Sequence, residues 1–349
     1  SASRSFSITV QNDAPSNHFN TVLYTGNQSA RSIAVGFEPG FTWIKERNDT
    51  DAHFLQDSVR GSTYTLYSNN TAAQFNETQA VTSFTSTGFN LGTYTGTNTT
   101  NNTYVAWNFK AGGTAVANTD GSINSQVSVN NTLGFSIVKY TGGGGAATVG
   151  HGLNSAPEMY IVKSMGHSAG WYTYHIGLDA SSPEDYNVRL NETSSRQDSA
   201  SYWNDTAPTS SVFSIGTTTG VSQSSTDFIT YCFTSKPGFS KVGSYTGARP
   251  NDVLVQTGFQ PAFVMIKASN ATDDWFIVDD KREGTSAPTK SLLANSLAIE
   301  SSFTGVEFLT NGFRLVGSAN SGGTNNSGTT FIYLAFAADG STATPSLAN

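Results

Sequence analysis

The sequence predicts an all-β chain of three tandem pseudo-repeats, each a β-sandwich-like (jelly-roll or lectin-like) domain, packed rigidly together. Three observations predict it: short motifs that recur three times, closing segments with a period of two, and a composition suited to strands and turns. Only 12% of the 349 residues are Asp, Glu, Lys or Arg, about half the usual share, while 12% are aromatic. Thr, Tyr and Phe suit pleated, half-buried strands; Gly and Asn suit tight turns.

Each copy opens on Tyr-Thr-Gly, at Tyr24–Gly26, Tyr140–Gly142 and Tyr245–Gly247. A proline follows (Pro39, Pro157, Pro261), then an apolar strand ending in lysine: 41–45, 159–163 and 263–267. Next comes an aromatic residue four positions before a polar one: His53 and Asp57, Trp171 and His175, Trp275 and Asp279. Gly88–Gly92 matches Gly312–Leu315, a segment degenerate in the second copy at Val212–Gly216. Each copy closes on a strand whose alternate residues are apolar: Val105, Trp107, Phe109; Ile229, Tyr231, Phe233; Ile332, Leu334, Phe336. The opposite face of these strands is also almost uncharged, so both faces are expected to be covered, within a sheet or where copies touch. Copies of about 100 residues are too long for solenoid units and match one β-sandwich.

The expected organisation is an irregular lead 1–18, repeat one 19–111, a connecting segment 112–134, repeat two 135–236, repeat three 237–339 and a polar tail 340–349. The connecting segment is polar and reads as a loop or an added hairpin. Short helical pieces are expected, if anywhere, near Leu292–Ala298 or Ala72–Gln79.

A net charge of −7 argues against nucleic acid, whose phosphates need clustered Lys and Arg. No long apolar run predicts membrane insertion. One cysteine, Cys232, permits neither an intrachain disulfide nor a cysteine-rich zinc site. The histidines show no metal-ligand spacing, and no nucleophile elbow or phosphate loop is present. No catalytic residue, metal or cofactor is expected. Asp57 with Arg60 and Asp279 with Arg282 read as exposed ion pairs or turn braces of small worth. Asp273, Asp274, Asp279 and Asp280 read as a solvated turn. Trp43, Trp107, Trp171 and Trp275 lie on repeat-defining strands and are expected in the core. Trp203 has no counterpart in the other copies; with Asn204 and Asp205 it offers an aromatic face, an amide and a carboxylate, the chemistry of a sugar contact. Tyr64, Tyr67 and Tyr94 are further aromatic candidates.

The chain resembles a repetitive family of tail- or virion-associated proteins from marine, cyanophage-like phages. The segments that carry the resemblance are Tyr24–Asn27, Gly36–Lys45, Asp57–Gly61, Tyr104–Gly113, Gly134–Gly142 and Gly150–Leu153, spread over 19–339. The resemblance implies a structural protein of the virion surface, in a fibre, appendage or decorating role, with other virion proteins as partners, and it carries over no catalytic residue. A homo-oligomer, with a trimer favoured, and adhesion to a host-surface glycan are the accompanying expectations. The alternatives are a secreted lectin-like binding protein or surface filament subunit, and a glycan-degrading tail enzyme, which needs two acids flanking one bond.

Overall fold

The computed structural model describes residues 13–318 and 323–340. Of the expected lead and tail, 1–12 and 341–349 lie outside the described residues. The fold is predominantly β, in several separate sheets, with antiparallel ladders throughout the named strands. The first large sheet has six strands, in the spatial order Phe19–Thr25, Thr103–Phe109, Phe41–Glu46, His53–Asp57, Gly61–Tyr67, Phe75–Asn76. The third large sheet has the same order with Ser240–Thr246, Thr330–Ala337, Pro261–Ala268, Trp275–Asp279, Lys290–Leu293 and Ser301–Ser302. The second runs Phe135–Thr141, Asp227–Phe233, Met159–Ser164, Trp171–His175, Tyr186–Arg189, Gln197–Asp198, extended beyond Phe135–Thr141 by Ser125–Asn130 and Val116–Asn118.

The segment 112–134 is therefore not a connecting loop. It holds an antiparallel hairpin that adds two strands to the edge of the second sheet. Alternation in Ser125–Asn130 puts buried Val127 opposite Val138, which is why a polar segment still pairs. The expected helical pieces are also absent: Lys290–Leu293 and Phe75–Asn76 are strands. Among the described residues the α-helices are single turns, at Thr95–Asn98, Ala200–Trp203 and Thr219–Ser222.

Smaller sheets cover one face of each large sheet. Arg31–Ala34, Gly88–Leu91 and Val81–Thr85 form the first; Val253–Gln256, Gly312–Leu315 and Val306–Leu309 form the third. In the second, Ala147–Gly150 pairs with Val212–Ile215 as a two-stranded sheet, with a single parallel bridge from Val149 to Ile123. Period two then sorts the closing strands. Tyr104 and Ala106 pack with Ile33, Phe89 and Leu91 under the first small sheet. Val105, Trp107 and Phe109 point the other way, into a cluster shared with Ile229, Tyr231 and Phe233 and with Ile332, Leu334 and Phe336. Phe109, Phe233 and Phe336 meet there with ring centroids 5.2–6.2 Å apart. Trp43, Trp107, Trp171 and Trp275 are all buried in this shared cluster. A void of about 20 Å³ lies within it, walled by Phe41, Trp43, Trp171, Tyr231, Phe263 and Leu334. So small and apolar a space is core rather than a ligand channel.

The Tyr-Thr-Gly motif has a local cause. Tyr24, Tyr140 and Tyr245 stack on Tyr104, Phe228 and Phe331 at 5.0–5.2 Å. Their hydroxyls donate to the carbonyls of Thr97, Val221 and Thr324 at 2.6–2.7 Å. The glycine two positions on must be bare: a Cβ on Gly26, Gly142 or Gly247 would sit 2.1–2.4 Å from a backbone oxygen of the facing turn.

Candidate functional site

Strand ends bring charged residues to the seams between the large sheets. Asp57 and Arg60 pair at 2.5 Å and Asp279 and Arg282 at 2.7 Å, with side chains no more than 1% exposed. These are buried pairs, not the exposed ones expected from sequence. The backbone amides of Arg60 and Arg282 donate to the second oxygen of each carboxylate, and the guanidinium groups donate to the carbonyls of Leu55 and Ile277. Each acid also accepts a bond from another sheet: Asp57 from the Tyr231 hydroxyl at 2.8 Å, Asp279 from the Trp107 indole at 3.1 Å. At the matching position of the second sheet His175 accepts from Gly177 N at Nδ1, so its proton sits on Nε2, which donates to Tyr333 O. Burial pushes His175 down to about 4, so it is neutral.

A second ring of contacts crosses the same seams. Trp171 donates to Tyr67 O and Trp275 to Arg189 O, each across a seam. His53 stands in the corresponding place, accepts at Nδ1 from Trp43, and faces the carbonyls of Leu293 and Ser296; burial pushes it down to about 3. The strand-end lysines are fully buried. Lys163 donates to Thr71 O, Lys267 to Thr193 O, and Lys45 to its own Glu46 O. Desolvation pulls these amines down, to about 7 for Lys163 and about 8 for Lys45 and Lys267. Asp57, Asp279, His175, Trp171, Trp275, Lys163 and Lys267 each join two sheets, whereas Lys45 is held by carbonyls near its own strand end. Asp57 and Asp279 have their oxygens filled by donors, so they are not free to act as the acid and base of a glycosidase.

Trp203 is a correction. It is buried between the second large sheet and its two-stranded cover, edge-on to Tyr160 at 4.8 Å, with its indole donating to Tyr186 O. The reason is the missing third strand of that cover: the single turn Ala200–Trp203 packs beside Val212–Ile215 and fills the space. No indole face is left for a sugar. Asn204 and Asp205 stay exposed, with left-handed φ of 56° and 43°, as the turn that ends this helix. Tyr67 and Tyr94 pack edge-on against Phe54, and Tyr64 alone of the three is exposed. Cys232 is buried and its thiol pushed well up by desolvation. Among the described residues no group of three or more His, Cys, Asp or Glu is placed to hold a metal ion.

Sequence reasoning missed a recess near these seams. It is a cleft of about 730 Å³ between the first sheet and the hairpin Val116–Asn130. Glu38, Ser58, Ser62, Ser83, Phe84, Lys110, Gly112 and Thr114 reach it from four separate stretches of chain, and no local motif marks such a wall. One side is fixed by a polar relay. His18 bonds Asp13 at 2.6 Å through Nε2 and the Asn130 amide at 2.9 Å through Nδ1, and Asn130 also donates to Lys110 O. His18 lowers the Asp13 carboxyl. Both nitrogens of His18 are occupied, so it offers no base to a neighbouring serine.

Residues 14–339 match the family model described as "Domain of unknown function (DUF7483)". No curated protein matches the chain.

Proposed function

The chain belongs to the DUF7483 family, and we propose that it serves as a structural component of a phage particle, on an appendage or the particle surface. In this reading three tandem copies of one β-sandwich-like unit, 19–111, 135–236 and 237–339, are fused into one rigid body. The observation that carries it is the shared core. Each copy turns one face of its large sheet into a single cluster, and buried hydrogen bonds tie copy one to two, two to three and three to one. A body closed in this way resists deformation without disulfides, as a particle assembled in a reducing cytosol requires. The spent acids and histidines support a role that is not enzymatic. Homo-oligomerisation, a trimer first, and adhesion to a host-surface glycan belong to the same proposal, as does the virion surface as its location.

The test is mass spectrometry and cryo-electron microscopy of purified particles from the source virus. The chain is expected on the particle, either in few copies at the tail or in many over the shell. Its absence from particles would overturn the proposal and favour a secreted binding protein.

A further inference from the structure

We propose that the cleft beside the hairpin Val116–Asn130 binds a saccharide of a few sugar units, a proposal that rests on the adhesive reading above. Gly40 and Ser58 precede Phe41 and follow Asp57; Ala262 and Asp280 hold those positions in the third copy. There the recess shrinks to about 40 Å³, closed by Ala262, Asp280, Lys281 and the Ser16 turn, whose amide donates to Asp339. Beside the hairpin the same region opens to about 730 Å³, inside the range of about 300–1,000 Å³ usual for small-ligand sites. A Cβ at position 40 would strike Ala111 at 2.2 Å, so the glycine lets this floor close up.

The lining selects the ligand. Phe84 is half-buried, packed on the first core with part of its ring toward the cleft. Around it, the Ser58 and Thr114 hydroxyls and the Glu38 carboxylate make no hydrogen bond or ion pair with the described residues, and the Lys110 ammonium makes no ion pair with them. Donors and acceptors of both kinds beside one aromatic surface match a ring with an apolar face and hydroxyl edges. One lysine opposed by one carboxylate does not suit a polyphosphate, and so polar a wall does not suit a lipid chain. The His18–Asn130 relay holds the wall in place before a ligand arrives, which lowers the ordering cost of binding.

The test uses the whole chain and calorimetric titration with maltotriose, triacetylchitotriose and O-antigen polysaccharides from hosts of the source virus. Binding of at least one probe is expected, weakened about tenfold or more by Phe84→Ala and by Glu38→Gln. Lys241→Ala, in the separate recess of about 710 Å³ near Pro237 and Gln256, is expected to leave it unchanged. No binding by any probe, or binding indifferent to both cleft variants, overturns the proposal. A chain that is found on particles yet binds no probe sinks the sugar site alone. One that binds through the cleft yet is missing from particles sinks the virion reading alone.

Discussion

The seam between the first and second large sheets and the seam between the second and third solve one problem with opposite chemistry. At the first, Asp57, Arg60 and Tyr231 form a buried polar set. At the second, the same three positions hold His175, Leu178 and Leu334. Leu334 has no donor to give an acid, and Leu178 no charge to pair with one. His175, neutral and turned to Tyr333 O, is the polar group that such a seam can still satisfy. The third seam keeps the ionic version with Asp279, Arg282 and Trp107. What is held constant is that the central polar group of each seam has a partner in the facing sheet, not which residues supply the pair. Buried ion pairs and well-packed apolar sets of similar volume are close in net stability, whereas half of a pair is not.

That equivalence can be broken at one seam. Asp57→Ala leaves the Arg60 guanidinium buried without its carboxylate and is expected to cost about 3–5 kcal/mol in chemical denaturation. The triple variant Asp57→His, Arg60→Leu, Tyr231→Leu copies the second seam into the first. It is expected to be more stable than the single variant despite changing three core residues. A triple variant less stable than Asp57→Ala would mean that the ionic seam is required in its own right.

The sequence showed these seams as positions but not as contacts. The aromatic-then-polar spacing singled out His53, Asp57, Trp171, His175, Trp275 and Asp279, and period two placed the closing strands between two covered faces. Both follow from local geometry, because alternation is fixed by the pleat. Burial of Asp57 and Arg60 was not legible, since their cross-sheet neighbour Tyr231 lies 174 residues along the chain. Trp203 was misread because its absence from the other copies suggested function. In the structure it fills the space beside a small sheet of two strands, where the other two small sheets have three. The hairpin in 112–134 was visible only as one of two alternatives, and the cleft it walls was not visible at all.

The strand-end lysines sharpen the contrast between seams through pH. The folded chain releases the Lys163 proton near pH 7, whereas an unfolded lysine holds it to about 10.5. Between those values the unfolded chain carries the extra proton, so stability rises with pH, by up to about 1.4 kcal/mol per pH unit for each lysine. His53 and His175, pulled down to about 3 and about 4, add a rise over the lower window up to about 6.5. Denaturation midpoints at pH 5, 7 and 9 are therefore expected to increase in that order. Lys163→Met, at the seam where the amine reaches Thr71 O, is expected to flatten the upper part of the rise. An unaltered pH profile in Lys163→Met would show that this amine stays charged in the folded chain.

The smallest effects are expected under the small sheets, where the Tyr-Thr-Gly motif makes the same interaction three times. Tyr24→Phe, Tyr140→Phe and Tyr245→Phe each keep the stacked ring and remove one hydroxyl bond to a turn carbonyl. Each is expected to cost about 1 kcal/mol, the net worth of a neutral hydrogen bond. The three sites lie in separate cores under separate small sheets, so their costs should add in the triple variant to about 3 kcal/mol. Seam substitutions should not add, because Asp57, Arg60 and Tyr231 share one network. Denaturation of the tyrosine variants in all combinations separates the two behaviours. Strong non-additivity among the tyrosines would mean that the small-sheet cores are coupled through the central one, and that the boundary between copy and seam lies elsewhere.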